Sequence, residues 1–180
     1  MNFSFFKKPI FWWQVFCFIF ISLGGTLLHF LYDWSNKSVA IAPFSGVNES
    51  TWEHMKLFFF PAVVFAILQS FFFDKNEFFW QIKLYGTLVG LIVIPVIFYV
   101  YNGAIGKSPD WLNITIFFIA TAVGSFYEYR TFTGKNPKSS YPEIAVLCFC
   151  LLALAFMVFT FLTPELGIFK DPVYGTYGIY

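Results

Sequence analysis

Five stretches of this chain, 11–32, 57–73, 84–101, 111–127 and 144–163, run for 17 to 22 residues with no acidic or basic side chain apart from a single histidine. An α-helix needs roughly 20 apolar residues to cross the hydrocarbon core, and about 17 suffice when its ends snorkel or the bilayer thins. Lipid offers no hydrogen bonds to a peptide group, so each run must satisfy its own backbone. No strand-like alternation is visible in them, which leaves helices rather than a barrel. The expected fold is all-α: a polytopic bundle of five transmembrane helices, one domain over residues 1–180, multi-pass in the cell membrane with the lipid bilayer as its first partner.

Composition agrees. The sequence is 58% hydrophobic and 12% charged, whereas soluble domains carry about a quarter charged residues. A formal charge of +1 and the lack of a basic stripe exclude nucleic acid as a partner. Cys17, Cys148 and Cys150 all lie in apolar runs, where buried thiols behave as small hydrophobes rather than as a disulfide framework.

Basic residues set the expected orientation. Lys7, Lys8, Lys75, Lys83, Arg130, Lys135 and Lys138 fall on one side of the spans, and Lys37, Lys56, Lys107 and Lys170 on the other. The positive-inside bias puts the N-terminus in the cytoplasm and, after five spans, the C-terminus outside. Pro61 is expected in the first turns of the second helix, and Pro95 inside the third, where it should kink. Gly86 with Gly90, and Ala120 with Gly124, are small residues four apart of the kind that lets helices approach closely in lipid.

On that topology the end of the first helix, the loop from Trp34 to Val47, the start of the second helix and the tail after Pro164 meet at the outer face. Ionisable groups there are costly and mark the place to look for function. His29 and Asp33 share one face of the first helix. Across the loop stands Asn48-Glu49-Ser50-Thr51-Trp52-Glu53-His54. Part of it reads as helix capping, by Asn48 or, two residues later, by a box of Ser50 and Glu53. Capping leaves His54 unexplained, because a charged imidazole is disfavoured at a helix N-terminus.

Imidazole and carboxylate oxygens are the ligands of zinc or another divalent metal. His29, Asp33, Glu53 and His54 are the candidate ligands, with Glu49 and Glu53 as candidate catalytic carboxylates. Without metal, the same residues form a hydrogen-bonded network of His29 with Asp33 or Glu53. Tyr127-Glu128-Tyr129-Arg130 reads as an interfacial anchor. The tyrosine-rich tail, 169–180, reads as aromatic belt or as a lid over the cluster.

Gly-Thr-Leu-Leu-His-Phe-Leu-Tyr-Asp at 25–33 paired with Asn-Glu-Ser-Thr-Trp-Glu-His-Met-Lys at 48–56, then Phe-Phe-Phe-Pro at 58–61 and Tyr-Gly-Ile at 177–179, resembles a family of small bacterial multi-helix membrane proteins known only as a domain of unknown function. The resemblance covers nearly the whole chain and implies architecture without an activity. A looser similarity, of residue types alone, is to membrane hydrolases of the alkaline ceramidase type, which implies a histidine and carboxylate zinc site within a bundle. Five spans rather than seven depart from that pattern.

The functional expectation is an outward-facing His/Glu/Asp site, with a metal-dependent hydrolase of a lipid or lipid-linked substrate as one reading. Binding or permeation of a small polar ligand, through a homo-oligomer, is the second. A structural membrane subunit without catalysis is the third.

Overall fold

The computed structural model describes residues 3–73, 75–106, 109–134 and 139–179, with side chains from residue 9 onward except that of residue 110. Five helices follow one another: α1 (Phe3–Trp34), α2 (Thr51–Ser70), α3 (Phe79–Ile105), α4 (Asp110–Thr133) and α5 (Pro142–Phe161). Each is long and apolar enough to cross a membrane. Among the described residues there is no β-strand, only one antiparallel bridge between Lys170 and Tyr177 in the tail.

α2 is the central element. It touches each of the other four helices, while α1 lies against α4, α4 against α3, and α3 against α5. More than half of the α2 span (56%) is buried, against 17% to 39% in the others, so the outer helices turn apolar faces such as Phe16, Leu23, Val100 and Leu151 outward. Soluble proteins rarely expose such contiguous apolar area, and it is compatible with a lipid bilayer around the bundle.

Small residues set the closest approaches. A Cβ built on Gly124 would stand 3.0 Å from the Gly86 carbonyl oxygen, and one on Gly90 would lie 2.3 Å from the Phe58 ring. The two small-residue motifs therefore serve packing: Gly86 meets Gly124 across the α3–α4 contact, and Gly90 seats Phe58 from α2. Around mid-span Ile21, Phe58, Phe59, Leu91 and Ala120 form part of one buried apolar cluster.

The starts of α2 and α3 both lie ahead of the apolar runs read from the sequence. α2 begins at Thr51, ahead of the apolar run, because the Ser50 hydroxyl caps it by accepting from the Glu53 N–H at 3.4 Å. Asn48 is not the cap; its side-chain oxygen accepts from Ser50 N–H at 2.8 Å in the turn before the helix. Pro61 consequently falls in the helix interior, where it packs toward Gly24 of α1. α3 likewise starts at Phe79 and absorbs Lys83.

Lys56 and Lys83, taken from sequence as loop cations, are buried within helices. One leaves each side of the charge count, so seven against four becomes six against three. Of the residues in that count, Lys107, Lys135 and Lys138 lie outside the described residues, and Lys7 and Lys8 outside the described side chains.

Candidate functional site

The end of the bundle where α1 finishes and α2 begins, here the distal end, is held by a loop spliced into α1. The Ser45 hydroxyl accepts from the Tyr32 N–H at 3.0 Å and donates to the Leu28 carbonyl, the pair that would close one rung of the helix. Gly46 N–H adds a bond to the same carbonyl at 3.3 Å. These contacts fix the loop at Leu28 and Tyr32, one residue before and three after His29, and Gly46 passes close to the imidazole: a Cβ there would lie 3.8 Å from His29 Nδ1.

His29 and His54 face each other, with ring centroids 5.9 Å apart. Between them stands the Glu49 carboxylate. Its Oε1 lies 3.8 Å from His29 Nε2 and its Oε2 lies 3.5 Å from His54 Nε2. Glu49 precedes the Ser50 cap, so it is not helical. It therefore shares no helix face with Glu53, and its side chain turns toward the histidines.

His54 has a defined tautomer. Its Nδ1 sits 3.0 Å from the Ser50 carbonyl oxygen; a carbonyl only accepts, so Nδ1 carries the hydrogen and a neutral ring presents the Nε2 lone pair to Glu49. A lone pair facing a carboxylate is repulsive unless a positive group lies between. An imidazolium N–H would satisfy the pair at about 2.7–2.9 Å, and 3.5 Å is well beyond that.

Glu53 and Asp33, expected among the ligands, are placed elsewhere. Glu53 is buried with its Oε2 2.5 Å from Lys56 Nζ and 3.1 Å from the Val47 N–H that it accepts. Lys56 also donates to the Ala42 carbonyl and to Thr160 Oγ1, each at 2.9 Å. All three ammonium hydrogens are thereby used, tying the loop, α2 and α5 together. Asp33 is exposed one turn beyond His29. Among the described residues, no group of three or more His, Cys, Asp and Glu side chains is gathered as it stands into a metal-holding set.

The tail braces the site from above. Asp171, fully buried, accepts the Glu49 N–H through Oδ2 at 3.2 Å, and Asn48 Nδ2 donates to the Gly178 carbonyl at 2.9 Å. Phe169 packs on Trp52, their ring centroids 4.7 Å apart. The tail is therefore a strap over the start of α2, held there by the Asp171 carboxylate, the Gly178 carbonyl and the Phe169 ring.

A second polar centre lies toward the opposite end. Lys83 Nζ stands 2.5 Å from Glu128 Oε2, both buried, and donates to Cys17 Sγ at 3.7 Å. Glu128 thus joins α4 to α3 rather than anchoring an interface with Arg130. Sequence reasoning missed Ser45, Lys56, Lys83 and Asp171; for Lys56 the signal was the i, i+3 spacing from Glu53, while the others depend on partners far away in the chain.

No curated protein and no solved structure matches this chain. The family model described as a family of unknown function, DUF6512, matches residues 1–179, and with that match spanning its whole described length the chain belongs to this family.

Proposed function

We propose that this protein is an integral membrane protein whose His29, Glu49 and His54 form a divalent-cation centre on the extracytoplasmic side of the cell membrane, serving as a metal-dependent hydrolase of a lipid or lipid-linked substrate. The observation that carries this reading is the His54 tautomer, with its Nδ1–H given to the Ser50 carbonyl and its Nε2 turned to Glu49. Metal-binding histidines characteristically donate their other ring N–H to a carbonyl or carboxylate in this way. In a tetrahedral zinc site with bonds of 2.0–2.1 Å, ligand atoms stand about 3.4 Å apart. The two nitrogen-to-oxygen distances, 3.8 Å from His29 to Oε1 and 3.5 Å from His54 to Oε2 of Glu49, are near that spacing, and a cation shared by one oxygen and both rings needs the Glu49 carboxylate to turn.

His29, Glu49 and His54 would hold the cation, which would supply Lewis-acid activation of a water at the exposed side of the site. The side chains of Glu49 and His29 are 43% and 34% exposed, so a substrate reaches them. Permeation is the weaker reading, because buried Ile21, Phe58, Leu91 and Ala120 lie between the distal centre and the Lys83–Glu128 pair.

The test is elemental analysis of protein purified in detergent, wild type beside His29→Ala, Glu49→Gln and His54→Ala. About one zinc or other divalent ion per chain, lost in the two histidine variants and reduced in Glu49→Gln, is expected for such a site. A wild type without stoichiometric metal removes the hydrolase.

A further inference from the structure

Gln14, Gln69 and Ser125 are buried, at 5%, 0% and 7% exposure. Yet both amide atoms of each glutamine and the serine hydroxyl close no hydrogen bond among the described residues. They collect around the Lys83–Glu128 pair. Gln14 stands beside the Glu128 carboxylate and Ser125 beside the Cys17 thiol, each outside hydrogen-bond geometry. Lys83 Nζ lies 5.3 Å from the centroid of the Phe65 ring, and Gln69 follows Phe65 by one turn on the same face of α2. Three helices, α1, α2 and α4, thus bring unpaired polar groups to a charge pair that joins α3 to α4.

A buried donor or acceptor without a partner carries its full desolvation cost, and folded chains meet such groups with protein atoms or with ordered water. The ion pair adds a demand of its own. Attraction between two buried charges offsets their desolvation only where the remaining protons and lone pairs are also satisfied.

We infer that this centre is a binding site for internal water, which bridges Gln14, Gln69 and Ser125 to the Lys83–Glu128 pair. The unpaired atoms select the ligand. The two amide NH2 groups need an acceptor and the two amide oxygens need a donor, so the occupant must do both. A metal ion serves only the oxygens, and an anion only the NH2 groups. The pair is already balanced in charge, which leaves a neutral molecule, and water in protein interiors meets two to four polar partners of this kind. Bound there, it makes the pair a solvated joint of four helices rather than a dry salt bridge. The site is separate from the distal centre, since none of His29, Glu49 and His54 contributes to it.

Radiolysis of water by a short X-ray pulse, on the full chain in detergent, tests this, because hydroxyl radicals made from bound water oxidise side chains that bulk radicals do not reach. Phe65 and Phe59 are 3% and 0% exposed, the same residue type at similar burial. One lies beside the centre and the other among Phe149 and Phe156 in the apolar core. Oxidation of Phe65 should exceed that of Phe59 several-fold.

Gln69→Leu, close in size and apolar, decides the sign. If Gln69 binds nothing, leucine relieves a buried amide and the thermal midpoint rises. If it holds water, the bridges are lost and the midpoint falls, which is the expected result, together with loss of the excess Phe65 oxidation. Gln14→Leu should act in the same way and reads the site from another helix if Gln69→Leu does not fold. Equal oxidation of Phe65 and Phe59 in the wild type, a midpoint raised by either leucine, or excess oxidation unchanged in a folded variant each overturns the assignment.

Discussion

The Asp171 carboxylate reaches back across 122 residues of sequence to accept the backbone N–H of Glu49 at 3.2 Å. Its other oxygen accepts the N–H groups of Val173 and Tyr174 at 2.7 and 3.1 Å, so one buried side chain shapes the strap and holds the residue that stands between the two histidines. A backbone held at Glu49 limits where its carboxylate points, and that couples the tail to the site.

Replacing Asp171 with alanine removes the acceptor of three part-buried N–H groups, at a cost of about 0.5–1.5 kcal/mol for each hydrogen bond lost. The thermal midpoint in detergent should fall, and limited proteolysis should release the tail first. On the cation reading, metal affinity should drop about 10- to 100-fold, the usual effect of losing a group that positions a ligand. Asp171→Asn, which keeps one carbonyl acceptor, should retain part of both. A normal midpoint with an uncut tail in Asp171→Ala would show that the strap does not depend on this carboxylate.

Lys56 and Glu53 form the other clamp on this end. Lys56→Met strands a buried carboxylate, for which breaking a buried pair costs about 3–5 kcal/mol. Glu53→Gln combined with Lys56→Met removes both charges and should recover much of that loss. The measurement is a double-variant cycle on thermal unfolding in detergent. Equal losses in the single and double variants would mean that the two charges do not act as a pair.

Much of this architecture is legible in the sequence because bilayer thickness sets a length that any helix must meet, and the five spans follow from it. The starts of α2 and α3 are not legible by the same rule. Glu53, Lys56 and Lys83 read as charges that end an apolar run, and only their partners, one of them Glu128 on α4, make them fit inside a helix. The meeting of His29 with His54 follows from topology alone. Which glutamate joins them does not, since it turns on whether the helix is capped at Asn48 or Ser50, a shift of two residues that changes where each side chain points.

Gly86 is where the Lys83–Glu128 pair meets the packing of α3 on α4. A Cβ there would lie 2.3 Å from Glu128 Cγ, a distance that forces the carboxylate away from Lys83. Gly86→Ala should therefore destabilise by about 1–3 kcal/mol, the range for overpacking. Gly103→Ala, on the same helix with nothing within 4 Å of the added atom, should be neutral or stabilising by about 0.5–1 kcal/mol, because alanine is the better helix former. Matching midpoints for the two variants would sink the claim that Gly86 is kept small for Glu128.

Acidification separates a cation centre from a metal-free network. Imidazole ligates metal only in its neutral form, so protons compete with the ion and binding releases them. Occupancy should therefore fall as pH falls, and zinc titration by calorimetry in two buffers of different protonation enthalpy should reveal proton release. His29→Ala and His54→Ala should each abolish stoichiometric binding, and Glu49→Gln should weaken it while leaving the fold intact, because Glu49 is partly exposed and its carboxylate accepts neither the Glu53 N–H that caps α2 nor the Lys56 ammonium. In a metal-free network the outcome differs: zinc leaves the melting temperature unchanged at every pH, and the histidine variants lower stability without altering any response to added ion.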